Sequence, residues 1–98
     1  VRRTPEPRRL ADGSIEGTVI TVDRFGNAIT NLLTHAGGDV VVDGRTLPLR
    51  RVYADVEPGA ALALVGSNGL VEIAVREGSA AERLGLRRGA RVVLRPRR

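Results

Sequence analysis

The residues best equipped for chemistry fall in one stretch, positions 22 to 31, which reads VDRFGNAITN. Asp23 and Arg24 stand beside Phe25, the one Phe of the chain, and Gly26, Asn27, Thr30 and Asn31 follow. A buried strand has no use for so many polar side chains at one bend. The stretch is therefore a turn that needs unusual backbone angles, a set of groups aimed at a ligand, or both. A carboxylate there could hold a cation, and a carboxamide presents a donor and an acceptor together.

Other constellations are poorer. Ser14, Ser67 and Ser79 could be joined on paper with His35 and an Asp, but none of these serines lies in a nucleophile elbow. The GSNG run at 66–69 reads as a tight turn, Ser79 as a helix cap, and His35 as a loop residue after a strand. Asp39, Asp43, Asp55 and Glu57 fall at turns and loop starts, where Asp favours local backbone hydrogen bonds. With no Cys and one His, neither disulfides nor a zinc centre can be assembled.

The elements that must position these groups are short strands. SIEGTVITVD, from Ser14, alternates Ile15 and Val19 with polar neighbours and offers Gly17 as a bulge. Asp43-Gly44 is the strongest hairpin signal, and Pro48 confines the strand after it to an edge or a bulge. A second hairpin is expected around Gly66 to Gly69, and ARVVLRP supplies a last strand. One short helix is expected at GSAAERLGL. Ser79 and Glu82 form a capping box there, Gly85 ends the helix, and Leu84 and Leu86 face the core. The pattern predicts an all-β fold, a sandwich or barrel with one short helix. Its core must be Val, Leu, Ile and Ala, since the aromatics are Phe25 and Tyr53 alone.

A chain of 98 residues makes one domain. Hydrophobic residues at 42% and charged residues at 28% place it among globular proteins, with no apolar run long enough to cross a membrane as a helix. Residues 1–13, with two Pro and four Arg, read as a linker or arm, and 14–98 as the domain. Net charge is +5, and all sixteen basic residues are Arg, clustered toward the two ends. A small basic barrel that binds single-stranded nucleic acid or a protein partner is thus the second functional reading. It lacks the aromatic stacking platforms that single-strand binding uses.

Four segments together resemble one family: GTVITVDRFGNAITNL, VYADVEPGAALALVGSNGLVEIAV, REGSAAERLGL and GARVVL. They are similar to the C-terminal domain of the S-adenosylmethionine hydroxide adenosyltransferases, relatives of the fluorinating and chlorinating enzymes. That family is marked by a D-R-F-G-N-x-x-T-N run, a Y-A-D-V segment and an S-x-G-x-x-E-I-A turn followed by G-S-A-A. The resemblance implies a small closed Greek-key β-barrel that follows a larger α/β N-terminal domain in a cytoplasmic homotrimer. It implies S-adenosylmethionine as substrate, with no cofactor, bound between this domain and the N-terminal domain of a neighbouring subunit. Water or hydroxide would attack the ribose C5′ and methionine would leave. By position, Asn27 would bond the adenine edge and Tyr53 would lie against its face. Asp23 and Ser67 would hold the methionine ammonium, Arg76 and Glu77 would close on the base from the other side, and Phe25 would shape the pocket. Asn68 stands where the halogenating relatives carry Arg, which points to the hydroxide-using branch. Arg76 stands where an Asn is often seen. The family's catalytic groups belong to the N-terminal domain, so this chain is expected to bind rather than to catalyse by itself.

Overall fold

The computed structural model describes residues 5–34, 37–50 and 56–96. Tyr53 and His35 lie outside the described residues. Eight strands and one helix follow in chain order: β1 (Arg8–Arg9), β2 (Ile15–Val22), β3 (Ala28–Leu33), β4 (Gly38–Val42), β5 (Arg45–Arg50), β6 (Ala61–Val65), β7 (Leu70–Val75), α1 (Ala80–Leu84) and β8 (Arg91–Pro96). The strands β2-β3-β7-β6-β5-β4-β8 lie side by side, and β8 returns to β2, which closes a seven-stranded barrel. Strand β1 adds to β2 outside this ring. Non-sequential neighbours β3–β7, β4–β8 and β2–β8 give the expected Greek-key character, and among the described residues β5–β6 is the one parallel pairing.

Two strands turn the corners. Residues Ile15 to Thr18 of β2 pair with β8, and from Val19 onward β2 pairs with β3. The register shift falls between Val19 and Thr21, not at Gly17. Gly17 instead permits a close approach: a Cβ there would lie 2.8 Å from Leu32 and would meet the Asn31 carboxamide. Strand β5 pairs with β4 through Arg45–Pro48 and with β6 through Leu49 and Arg50. Pro48 thus sits where β5 leaves one neighbour for the other. Its missing N–H costs no bond to β6, so a proline is tolerated in a strand that is not an edge.

The barrel interior is aliphatic, with Val19, Leu32, Val40, Ile73, Val92 and Leu94 essentially fully buried. Helix α1 plugs one end with Ala80 and Leu84, and Leu86 follows them into the core. Ser79 caps the helix as expected, its hydroxyl accepting from the Glu82 N–H at 3.2 Å, and Gly85 ends it at φ 65°. Asp43 and Gly44 both take positive φ, 51° and 70°, as a two-residue hairpin turn between Val42 and Arg45 requires. A smaller cluster of Leu62, Leu64 and Ala74, covered by Val56, lies on the outer face of β6 and β7.

Part of the arm is tied to the barrel. Arg8 and Arg9 pair with Glu16 and Ile15. The Asn31 carboxamide donates to the Pro5 carbonyl at 2.6 Å while its oxygen accepts from the Thr18 N–H at 2.9 Å. Glu16 sits between the guanidinium groups of Arg8 and Arg91.

Candidate functional site

The DRFGN run joins β2 to β3 by a three-residue loop. The Asp23 N–H donates to the Asn27 carbonyl and the Gly26 N–H to the Asp23 carbonyl, both at 3.0 Å, and Gly26 takes φ 85°. The Gly66–Leu70 loop between β6 and β7 repeats this geometry. There the Gly66 N–H donates to the Leu70 carbonyl and the Gly69 N–H to the Gly66 carbonyl, with Gly69 at φ 84°. Both are three-residue hairpin loops that close on a left-handed Gly.

In the first loop Asp23 works locally. Its Oδ1 accepts from the backbone N–H groups of Phe25 (2.9 Å) and Asn27 (3.0 Å), and its Oδ2 accepts from the Asn27 side-chain amide at 3.2 Å. This fixes the orientation of the buried Asn27 carboxamide. Phe25 is left 64% exposed, with the Arg24 guanidinium 5.0 Å from its ring centre. The loop also meets the helix, since the Gly26 carbonyl accepts from the Ala81 N–H at 2.9 Å.

Opposite the loop, β7 ends in a turn from Val75 to Gly78. Glu77 adopts φ 60°, a left-handed conformation that a non-Gly residue holds only under constraint. The turn is anchored from behind: the Arg76 N–H donates to Ala60, the Gly59 N–H to the Arg76 carbonyl, and the Arg76 guanidinium to the Val56 carbonyl at 2.7 Å. Loop and turn enclose an open cleft of ≈ 550 Å³ lined by Phe25, Asn27, Val75, Arg76, Glu77 and Gly78. An exposed ring, a buried carboxamide and a backbone turn facing each other across a cleft of this size suit a flat heterocycle.

Four candidate residues, Phe25, Asn27, Arg76 and Glu77, are thus brought into one cleft, with Asp23 bonded to its edge. Ser67 and Asn68 are not part of it. Ala28 pairs with Ile73 while Leu33 pairs with Leu70, so the Ser67 loop lies at the other end of the β3–β7 ladder. Asn68 there accepts from the Leu70 N–H at 3.1 Å, a turn-forming bond. Sequence reasoning missed Val75 and Gly78, which carry no chemical signal of their own. It also gave no role to Glu72, the acid within the S-x-G-x-x-E-I-A run. Glu72 pairs with Ile29 on β3 and Leu64 on β6. Burial first, and then the Asp23 carboxylate, push its carboxyl above the usual range. Among the described residues no group of three or more His, Cys, Asp and Glu side chains could hold a metal ion, and no helix is long and apolar enough to cross a membrane.

Residues 17–93 match the family described as SAM hydroxide adenosyltransferase C-terminal domain. A protein of Thermus thermophilus named (R)-S-adenosyl-L-methionine hydrolase is 53% identical over 89 residues, which cover 90% of this chain and 34% of that protein. A protein of the same name from Salinispora tropica is 38% identical over 96 residues, covering 92% and 36%. The chain therefore spans about a third of the length of these curated relatives. Among solved structures, a conserved hypothetical protein from Thermus thermophilus superposes with a TM-score of 0.77 at 54% identity, covering 82% of this chain and 34% of that one. An uncharacterized conserved protein from Thermotoga maritima superposes with a TM-score of 0.75 at 25% identity, covering 96% and 40%.

Proposed function

The chain belongs to the SAM hydroxide adenosyltransferase C-terminal domain family, and from that premise we propose that it forms the nucleoside-holding half of an S-adenosylmethionine hydrolase site. The observation that carries this reading is the cleft, which unites Phe25, Asn27, Arg76 and Glu77 from two separate hairpins. Asn27, held by Asp23, reads the edge of adenine. The Arg76–Gly78 backbone closes on the base from across the cleft. Asp23, bonded at the cleft edge, receives the ammonium of the methionine arm, whereas Ser67 lies at the other end of the ladder.

In the reaction, the oxygen of water forms a bond to C5′ as the bond from C5′ to sulfur breaks. The electron pair leaves with sulfur, which turns the sulfonium into the neutral thioether of methionine, and the water loses a proton to give adenosine. No redox step is involved, so no cofactor is needed. The groups that orient this water lie on an α/β domain outside these 98 residues, contributed by a neighbouring subunit of a homotrimer in the cytoplasm. Exposed Phe25 is the apolar lip such a domain would cover.

Amide NMR titration of the 98-residue chain with adenosine tests the reading. Shifts are expected at Phe25, Asn27, Arg76, Glu77 and Gly78, and their absence at millimolar ligand would overturn it. The same chain incubated with S-adenosylmethionine is expected to yield no adenosine. Turnover would refute the assignment of the catalytic groups to another domain.

A further inference from the structure

We infer that Asp23 is a positioning residue for purine selection: by fixing which end of the Asn27 carboxamide meets the ligand, it makes the cleft accept a 6-amino purine and reject a 6-oxo purine. The inference rests on the reading that the cleft holds the base, and deepens it.

The two ends of a carboxamide have nearly the same shape and opposite hydrogen-bonding character, so the neighbours alone decide which end points where. Asn27 is 9% exposed and lines the cleft, where little water can repair a misplaced end. Its Nδ2 donates to the Asp23 Oδ2 at 3.2 Å. A carboxylate offers acceptors only, so the nitrogen must face Asp23 and the oxygen is the end turned away. Asp23 is itself held in place. Its Oδ1 accepts from the N–H groups of Phe25 and Asn27, its own N–H donates to the Asn27 carbonyl, and its carbonyl accepts from the Gly26 N–H.

The oxygen end suits the N–H of a 6-amino purine. Against a 6-oxo purine it sets two acceptors face to face. A site that leaves polar groups unpaired when the wrong ligand enters discriminates more sharply than one that rejects by fit. Adenosine and inosine differ along this edge of the base alone. Neither carries an ammonium, so comparing them is independent of any contact between Asp23 and the amino-acid arm.

Asp23→Asn should reverse the choice rather than merely weaken it. The N–H groups of Phe25 and Asn27 still require an acceptor at the Oδ1 place, which puts the amino group of the new carboxamide at the Oδ2 place. That group only donates, so Asn27 must turn its oxygen toward it and its nitrogen away. The end offered to the base changes from acceptor to donor.

The test is an NMR titration of the 98-residue chain and of D23N with adenosine and with inosine. Wild type is expected to bind adenosine about tenfold more tightly, the size of one well-made hydrogen bond. D23N is expected to bind inosine at least as tightly as adenosine, with the amide shifts of the barrel interior unchanged. A role confined to holding the turn would weaken both nucleosides together. That result, a wild-type preference kept in D23N, or no preference in wild type while adenosine binds, overturns the role of Asp23 and leaves the cleft reading standing. In wild type alone, a nuclear Overhauser contact is expected between the Asn27 side-chain amide protons and the Asp23 β protons. Its absence overturns the lock, whether or not D23N folds. Failure of wild type to bind adenosine refutes the cleft reading, and this inference falls with it.

Discussion

Asp23 serves its own turn as well as any ligand. Its carboxylate accepts two backbone N–H bonds and the Asn27 amide. Asp23→Ala strands those donors at a bend where Asn27 is buried, and is expected to cost about 2 kcal/mol. Asp23→Asn keeps an acceptor for both N–H groups and should cost less than about 1 kcal/mol, so urea midpoints of the two variants separate charge from capping. Glu77 offers the opposite case. At φ 60° a side chain costs about 1–2 kcal/mol relative to glycine, while glycine forfeits about 0.5–1 kcal/mol of chain entropy. Glu77→Gly is therefore expected to raise stability by about 0.5 kcal/mol in the same assay. The ion pair to Arg76, 3.8 Å long with its Glu77 side exposed, has little to lose.

At the scale of elements, the loop before β3 and helix α1 form one unit. The Gly26 carbonyl takes the Ala81 N–H, and Ser79, the helix cap, packs against Gly26. A Cβ on Gly26 would fall on the Ser79 side chain and 3.0 Å from its Cα, at a φ of 85° that already disfavours one. Gly26→Ala should thus cost more than about 2 kcal/mol, against about 1 kcal/mol for Ser79→Ala. It should also move the amide resonances of Ala80 to Leu84, which an isolated turn defect would leave alone. The cleft depends on this coupling, because the same loop supplies Phe25 and Asn27.

At the scale of the whole molecule, charge placement sets the response to pH. The Arg91 and Arg8 guanidinium groups hold Glu16 below its ordinary 4.5, and hydrogen bonds from Ser14 hold Asp12 below 3.8. A lowered carboxyl contributes stability that is present above its unfolded value and lost as pH falls through its folded one. The barrel should therefore weaken as pH drops below about 4, and Glu16→Gln should flatten that limb of a urea-midpoint profile. Glu72 runs the other way. Its raised carboxyl contributes stability fully present below 4.5 and lost as pH rises through the higher folded value. Glu72→Gln should accordingly gain on wild type at about pH 7 and show no gain below about pH 4.

Local rules carried much of this protein's description. The cap at Ser79, the left-handed Gly85, the Asp43-Gly44 turn and the aliphatic core are all set by neighbours in sequence, through hydrogen bonds and sterics spanning a few residues. The DRFGN run was legible as a bend for the same reason. Which strands become neighbours was decided only by tertiary structure. Barrel closure pairs β2 with β8, moves the register shift away from Gly17, and lets β5 pass between partners at Pro48. Closure also lays β3 antiparallel to β7. That one pairing brings Asn27 to Arg76 and Glu77, about 50 residues on, while sending Ser67 to the far end of the ladder. Pairing over such separations answers to burial of the whole apolar set, which no short stretch of sequence encodes by itself.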